Sequence, residues 1–199
     1  MLERSDLFAV LEESAALGYL GPGPVTAAHA HAAGFAGCFD RTVARVLDLG
    51  SGGGLPGLVL ASMLPDARVT LLDASLSRTD FLRRAVGRLG WADRVRVVTG
   101  RAEVLGRSAD WRATQDVVVS RSFGPPAVTA ECASPFLRSD GLLVVSEPPE
   151  PDAERWPAEA LSLLGLVRLE PAPESYAVFA QRTTCPGRFP RRSLQRPLF

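Results

Sequence analysis

Between Arg45 and Glu147 the chain alternates short apolar, β-branched runs with stretches whose apolar residues recur every three or four positions. The runs predict strands at Arg45–Leu49, Arg68–Asp73, Val95–Thr99, Asp116–Ser120 and Leu142–Ser146. Val117-Val118-Val119 and Leu142-Leu143-Val144-Val145 are apolar at every position, as expected where helices cover both faces of a sheet. After Ser77, the residues Phe81, Leu82, Ala85, Val86 and Leu89 repeat at helical spacing and lay down one apolar stripe, which ends at Gly90. Ser77 and Asp80 form a near capping box, the serine oxygen accepting from the N–H of residue 80. Strands alternating with helices in this way predict βαβ units and a doubly wound α/β fold with a mainly parallel sheet.

The flanks are read differently. Residues 6–36 are Ala-rich and broken at Gly21-Pro22-Gly23-Pro24, which predicts two short helices around a loop. Beyond Glu147 a helix near Trp156–Leu164 and strands at Gly165–Glu170 and Tyr176–Gln181 bring the expected sheet to seven strands. The expected division is a helical extension, residues 1–40, followed by the α/β domain, 41–199.

Composition changes this picture little. With 46% hydrophobic and 22% charged residues the chain is an ordinary globular one, and its net charge of zero neither favours nor excludes nucleic acid. The distribution is more informative. From Gln181 onward come Arg182, Arg188, Arg191, Arg192 and Arg196 with no acidic residue among them, and arginine forks suit phosphates. On charge alone a solvated tail is an equal reading. Cys38, Cys132 and Cys185 are odd in number and widely spaced, which reads as a reduced, cytoplasmic protein without a disulfide framework. Met1–Asp6 lacks a signal-peptide pattern, and no apolar run approaches the roughly 20 residues of a membrane span. His29 and His31, two apart, fall on different helix faces, so no metal site is expected.

The candidate chemistry lies in Val46-Leu47-Asp48-Leu49-Gly50-Ser51-Gly52-Gly53-Gly54-Leu55-Pro56-Gly57, a strand that ends near an acid and runs straight into a glycine loop. Glycines are needed where a bulky ligand lies against backbone or where φ is positive. Pro56 suits the first turn of a helix. Asp48 could accept from a ligand amino group, and Asp73, at the tip of the next strand, stands where a ribose diol lies in doubly wound folds. The dinucleotide pattern G-x-G-x-x-G fails from Gly50, where the last position is Leu55. From Gly52 it matches formally but starts late and is interrupted by Pro56. The acid-x-Gly-x-Gly-x-Gly order from Asp48 fits S-adenosylmethionine better, with Gly50, Ser51 and Gly52 against the ligand. Dinucleotide binding and an unliganded structural loop remain the alternatives.

Asp48 to Gly57 closely resembles the glycine loop of the GidB/RsmG family, bacterial methyltransferases of guanine N7 in small-subunit (16S) ribosomal RNA. Matching segments keep the order: Leu71-Leu72-Asp73 with Arg78 and Phe81-Leu82, then Gly100-Arg101-Ala102-Glu103, Val119-Ser120-Arg121, and Arg188-Phe189-Pro190-Arg191-Arg192. The resemblance implies a Rossmann-like class I methyltransferase fold, S-adenosyl-L-methionine as cofactor, and the small ribosomal subunit as partner. It implies further that Gly50 and Leu55 contact the cofactor, that Ala102 and Glu103 lie by the adenine, and that Arg121 stands between cofactor and substrate as the catalytic arginine. The tail arginines Arg188, Arg191 and Arg192 would contact RNA. Two departures fall on the substrate side. Leu17-Gly18-Tyr19-Leu20 and the Gly-Pro loop replace a family W-N-x-x-x-N-L-T-like segment, and Ser146-Glu147 stands where the family has Lys-Gly. A small-molecule methyltransferase and a non-catalytic RNA- or ribosome-binding relative are the rival readings. Guanine N7 bears a lone pair and no proton, so its methylation needs positioning rather than a general base.

Overall fold

The computed structural model describes residues 2–39 and 42–199, so the expected boundary between residues 40 and 41 lies outside the described residues. The chain opens with α1 (Leu2–Ala16) and α2 (Val25–Gly34). Alternation follows: β1 (Arg45–Leu49), α3 (Gly57–Met63), β2 (Arg68–Asp73), α4 (Leu76–Arg88), β3 (Val95–Thr99), α5 (Ala102–Leu105), β4 (Gln115–Ser120), α6 (Pro126–Ala133) and β5 (Leu137–Ser146). Then come α7 (Ala158–Leu163), β6 (Leu166–Leu169) and β7 (Tyr176–Gln181).

One seven-stranded sheet has the order β3-β2-β1-β4-β5-β7-β6, and β7 pairs antiparallel with both its neighbours. The apolar runs divide by period two. Val117, Val119, Leu142 and Val144 enter the core under α1 to α4, while Val118, Leu143 and Val145 enter the core under α5 to α7. A strand covered on both faces has no polar side to show, hence the unbroken apolar sequence. The chain winds outward from β1 through β2 to β3, then returns to build the sheet from β4 on the other side of β1. That reversal opens a crevice at the carboxyl ends of β1 and β4, where ligands bind in such sheets.

Three local expectations are corrected. The cap of α4 is Ser75, whose Oγ accepts from the N–H of Arg78 at 3.4 Å, and Ser77 Oγ instead meets Ser75 Oγ at 3.0 Å. β5 starts at Leu137, five residues early, because polar Arg138–Asp140 extend it past the register shift opposite Gln115 and Val117. Of the two readings of the tail after β7, a wholly free one gives way: the segment is anchored to the domain although many of its side chains stay exposed. Phe189 is buried in the second core, and Arg112 donates to the carbonyls of Phe189 (2.8 Å) and Cys185 (2.5 Å).

Candidate active site

The glycine loop is folded by bonds to the neighbouring strand. Gly50 and Ser51 donate to the carbonyl of Leu72 at 2.8 and 3.0 Å, and Gly52 donates to Asp73 Oδ2 at 2.8 Å. Gly50 takes φ 76°, and a Cβ there would stand 2.6 Å from the Phe123 ring, so both conformation and space require glycine. At Gly57 a Cβ would lie 2.3 Å from Leu71 and 2.5 Å from Asp48 Oδ2, which is how α3 starts so close to β1 and β2.

Asp48 does not reach the crevice. It is fully buried, its Oδ2 accepts from the N–H of Gly57 at 2.9 Å, and its Oδ1 has no partner. Burial pushes its carboxyl up to about 7, against the bonds from Gly57 and Ser51. It lines neither cavity described below; its place is under the loop, holding α3 to β1.

Two adjoining cavities lie over the strand ends. The larger, about 710 Å3, is lined by Gly50, Asp73, Gly100, Ala102, Glu103 and Phe123, with Arg192–Gln195 of the tail. The smaller, about 220 Å3, is lined by Tyr19, Leu20, Ser51, Gly52, Leu55 and Arg121. Gly50, Arg78 and Ser122 line both. The structure therefore gathers Gly50, Ser51, Gly52, Leu55, Asp73, Ala102, Glu103 and Arg121 around one crevice, and leaves Asp48 outside it.

Asp73 is nearly buried and bound twice, Oδ2 by Gly52 and Oδ1 by the N–H of Ser75 at 2.8 Å, with Arg78 at 4.0 Å. Each carboxylate oxygen has a second lone pair, so capacity remains for a hydroxyl donor. Glu103 is paired with Arg101. Arg121 follows β4 and is half-buried, and burial pushes its guanidinium below the usual value while the Tyr176 phenol opposes this. His31 is likewise held low, by burial first and by Arg121 second. Among the described residues no carboxylate pairs with Arg121.

The three tail arginines do not act alike. Arg191 binds both oxygens of buried Glu131, so its expected RNA contact gives way to an internal tie. Arg188 is exposed and lies over the Phe189 ring at 4.9 Å, and Arg192 stands exposed at the larger cavity. Glu147 also turns inward. It accepts from Trp156 Nε1 at 2.9 Å and faces Arg155 at 3.2 Å, so its charge is not presented at the crevice. Sequence reasoning set Tyr19 and Leu20 on the substrate side without naming either as a site residue. Their approach rests on Ser14 Oγ donating to the Gly53 carbonyl at 2.9 Å, a link across 39 positions that local pattern does not announce. Among the described residues no cluster is arranged to hold a metal ion, and no helix is long and apolar enough to cross a membrane.

Strand order, reversed seventh strand and crevice define a class I methyltransferase fold of Rossmann-like type. Residues 31–155 match the model of the GidB family, rRNA small subunit methyltransferase G, and the chain belongs to that family. It is 34% identical over 174 residues to ribosomal RNA small subunit methyltransferase G of Rubrobacter xylanophilus, covering 79% of this chain and 66% of that protein. The counterpart from Deinococcus radiodurans is 41% identical over 110 residues, 55% of this chain and 43% of that protein. Thus the chain spans from about two fifths to just under two thirds of the length of these relatives. Among solved structures, geranyl diphosphate methyltransferase in complex with GPP and sinefungin superposes with a TM-score of 0.60 at 14% identity, covering 77% of this chain and 78% of that one.

Proposed function

We propose that this chain transfers a methyl group from S-adenosylmethionine to guanine N7 in small-subunit ribosomal RNA. The observation that carries the reading is the pair of cavities meeting at Gly50, one edged by Asp73 and Glu103 and the other by Arg121. The residues fit the cofactor. Asp73 has lone pairs for a ribose diol, Ala102 and Glu103 offer an apolar and an acidic edge to an adenine, and Gly50 presents bare backbone where the two cavities meet. When bound, S-adenosylmethionine supplies a methyl already activated on a sulfonium.

The protein's own part is positioning. Among the residues lining the smaller cavity the ionisable groups are Tyr19, Arg78 and Arg121, with no carboxylate or histidine to serve as a base. An acceptor with a free lone pair needs none, and holding two reactants in line is worth roughly 7–11 kcal/mol. Arg121 suits a guanine edge or its phosphate, through paired donors. Arg78, Arg101, Arg121 and Arg192 around the mouth favour an anionic polymer over a small apolar substrate. In this reading the helical extension, residues 1–40, brings Tyr19 and Leu20 to the acceptor side, and Arg188 and Arg192 remain available to phosphates. A ribosomal substrate places the reaction in the cytoplasm.

The cofactor half is tested by calorimetric titration with S-adenosylhomocysteine. Micromolar binding, about −8 kcal/mol, is expected. An absence of binding by the wild-type chain overturns the reading.

A further inference from the structure

The last eighteen residues form no helix or strand, yet they are tied down along their length. Arg107 Nη1 donates to the Pro190 carbonyl at 2.9 Å, and Arg112 Nη1 to that of Phe189 at 2.8 Å. The tightest tie comes next. Arg191 Nε donates to both oxygens of Glu131 at 2.9 and 3.0 Å, Nη2 to Oε2 at 2.7 Å, and the Arg191 backbone N–H to Oε1 at 2.7 Å. Glu131 stands in α6 with no exposed surface. Directly beyond this tie, residues 192–195 line the larger cavity beside Ala102 and Glu103. The chain then closes with Phe199 near Trp156, ring centroids 6.4 Å apart.

A buried carboxylate is costly unless its lone pairs are filled, and replacing such a pair by apolar side chains is often neutral for stability. What a forked pair adds is register. Two parallel N–H···O bonds fix the guanidinium in place and orientation, which a greasy contact does not. Here the residue so fixed immediately precedes the cavity wall.

We propose that Glu131 and Arg191 are a positioning pair that sets residues 192–195 as one wall of the cofactor cavity, making the tail part of the cofactor site. This rests on reading the larger cavity as the S-adenosylmethionine site. Arg191 touches no ligand in this account; it acts through Arg192–Gln195. Coupling between two events is reciprocal, so a docked tail tightens the cofactor and a bound cofactor holds the tail docked.

The test uses the full chain and S-adenosylhomocysteine. Calorimetry is run on the wild type, Arg191→Ala, Arg191→Lys, Leu194→Ala and Arg182→Ala. The last removes an exposed arginine that pairs with Asp140, away from the cavity. Arg191→Ala should weaken binding about tenfold, within the usual range for coupled sites. Arg191→Lys should recover only part of this, since lysine cannot make the fork. Leu194→Ala should weaken binding by a smaller factor, and Arg182→Ala should leave it unchanged. Independently, the ligand should slow tryptic cleavage of the wild type after Arg192. Wild-type affinity in Arg191→Ala, or cleavage after Arg192 at the same rate with and without ligand, overturns the proposal. If Arg191→Ala does not fold, Leu194→Ala and the cleavage rate decide it. A wild type that binds no ligand overturns instead the reading of the cavity on which the proposal stands, and the proposal with it.

Discussion

Asp73, the last residue of β2, accepts the backbone N–H of Gly52 at 2.8 Å, so the carboxylate at one strand tip holds the glycine loop that follows the neighbouring strand. Its other oxygen holds the N–H of Ser75 at the start of α4. One side chain thereby sets the floor of the crevice and offers its spare lone pairs to whatever lies there.

Asp73→Ala should therefore lose more than a ligand contact. Hydrogen bonds to a charged group are worth about 1.5–3 kcal/mol, and a cofactor bound there loses about that much affinity. Asp73→Asn keeps one acceptor oxygen for two backbone donors and should fall between. Calorimetry on the three proteins checks the order; equal affinities would remove Asp73 from the site.

The fold was legible because its signals are local. Runs such as Val117–Val119 are apolar throughout since each face meets its own core, and the glycine loop announces itself by spacing alone. What escaped depends on partners far along the chain. Glu131 meets Arg191 across 60 positions, which turns an apparently loose basic tail into a cavity wall. Glu147 looked like an acid set against RNA, but its partners Trp156 and Arg155 lie beyond the next turn and draw it inward. Asp48 was correctly placed near a strand end, yet strand alternation turns its side chain under the loop toward Gly57. Residue spacing gives the position of a strand residue, while the packing of α3 decides which ligand its carboxylate sees.

Asp48 makes stability depend on pH. Its folded-state value, about 7, lies above the ordinary carboxylate range, so the unfolded chain gives up the proton first as pH rises. The stability that protonated Asp48 provides is full below the ordinary value and is lost as pH climbs through about 7. Asp48→Asn keeps an acceptor for Gly57 and carries no charge. Thermal melts should show the variant gaining on the wild type between about pH 4 and 7, then holding a constant lead above about pH 8. A difference that does not change with pH would contradict this.

Glu147→Lys would place a second cation against Arg155 and strip the Trp156 Nε1 of its acceptor. The Glu147 side chain is nearly buried while Arg155 keeps some exposure, so a loss somewhat below that of a fully buried pair, about 2–3 kcal/mol, is expected in denaturant unfolding. A variant as stable as the wild type would show that the inward turn of Glu147 does not matter.

The central claim is tested most directly by methyl transfer from labelled S-adenosylmethionine to small ribosomal subunits lacking the modification, with naked ribosomal RNA beside them and 7-methylguanosine measured after digestion. The wild type should label the RNA at that base. Arg121→Ala, in which the half-buried arginine over the smaller cavity is gone, should lose transfer by a factor of about 100 or more while changing cofactor affinity far less than Asp73→Ala does. No 7-methylguanosine from the wild type, or a wild-type rate from Arg121→Ala, would contradict the account.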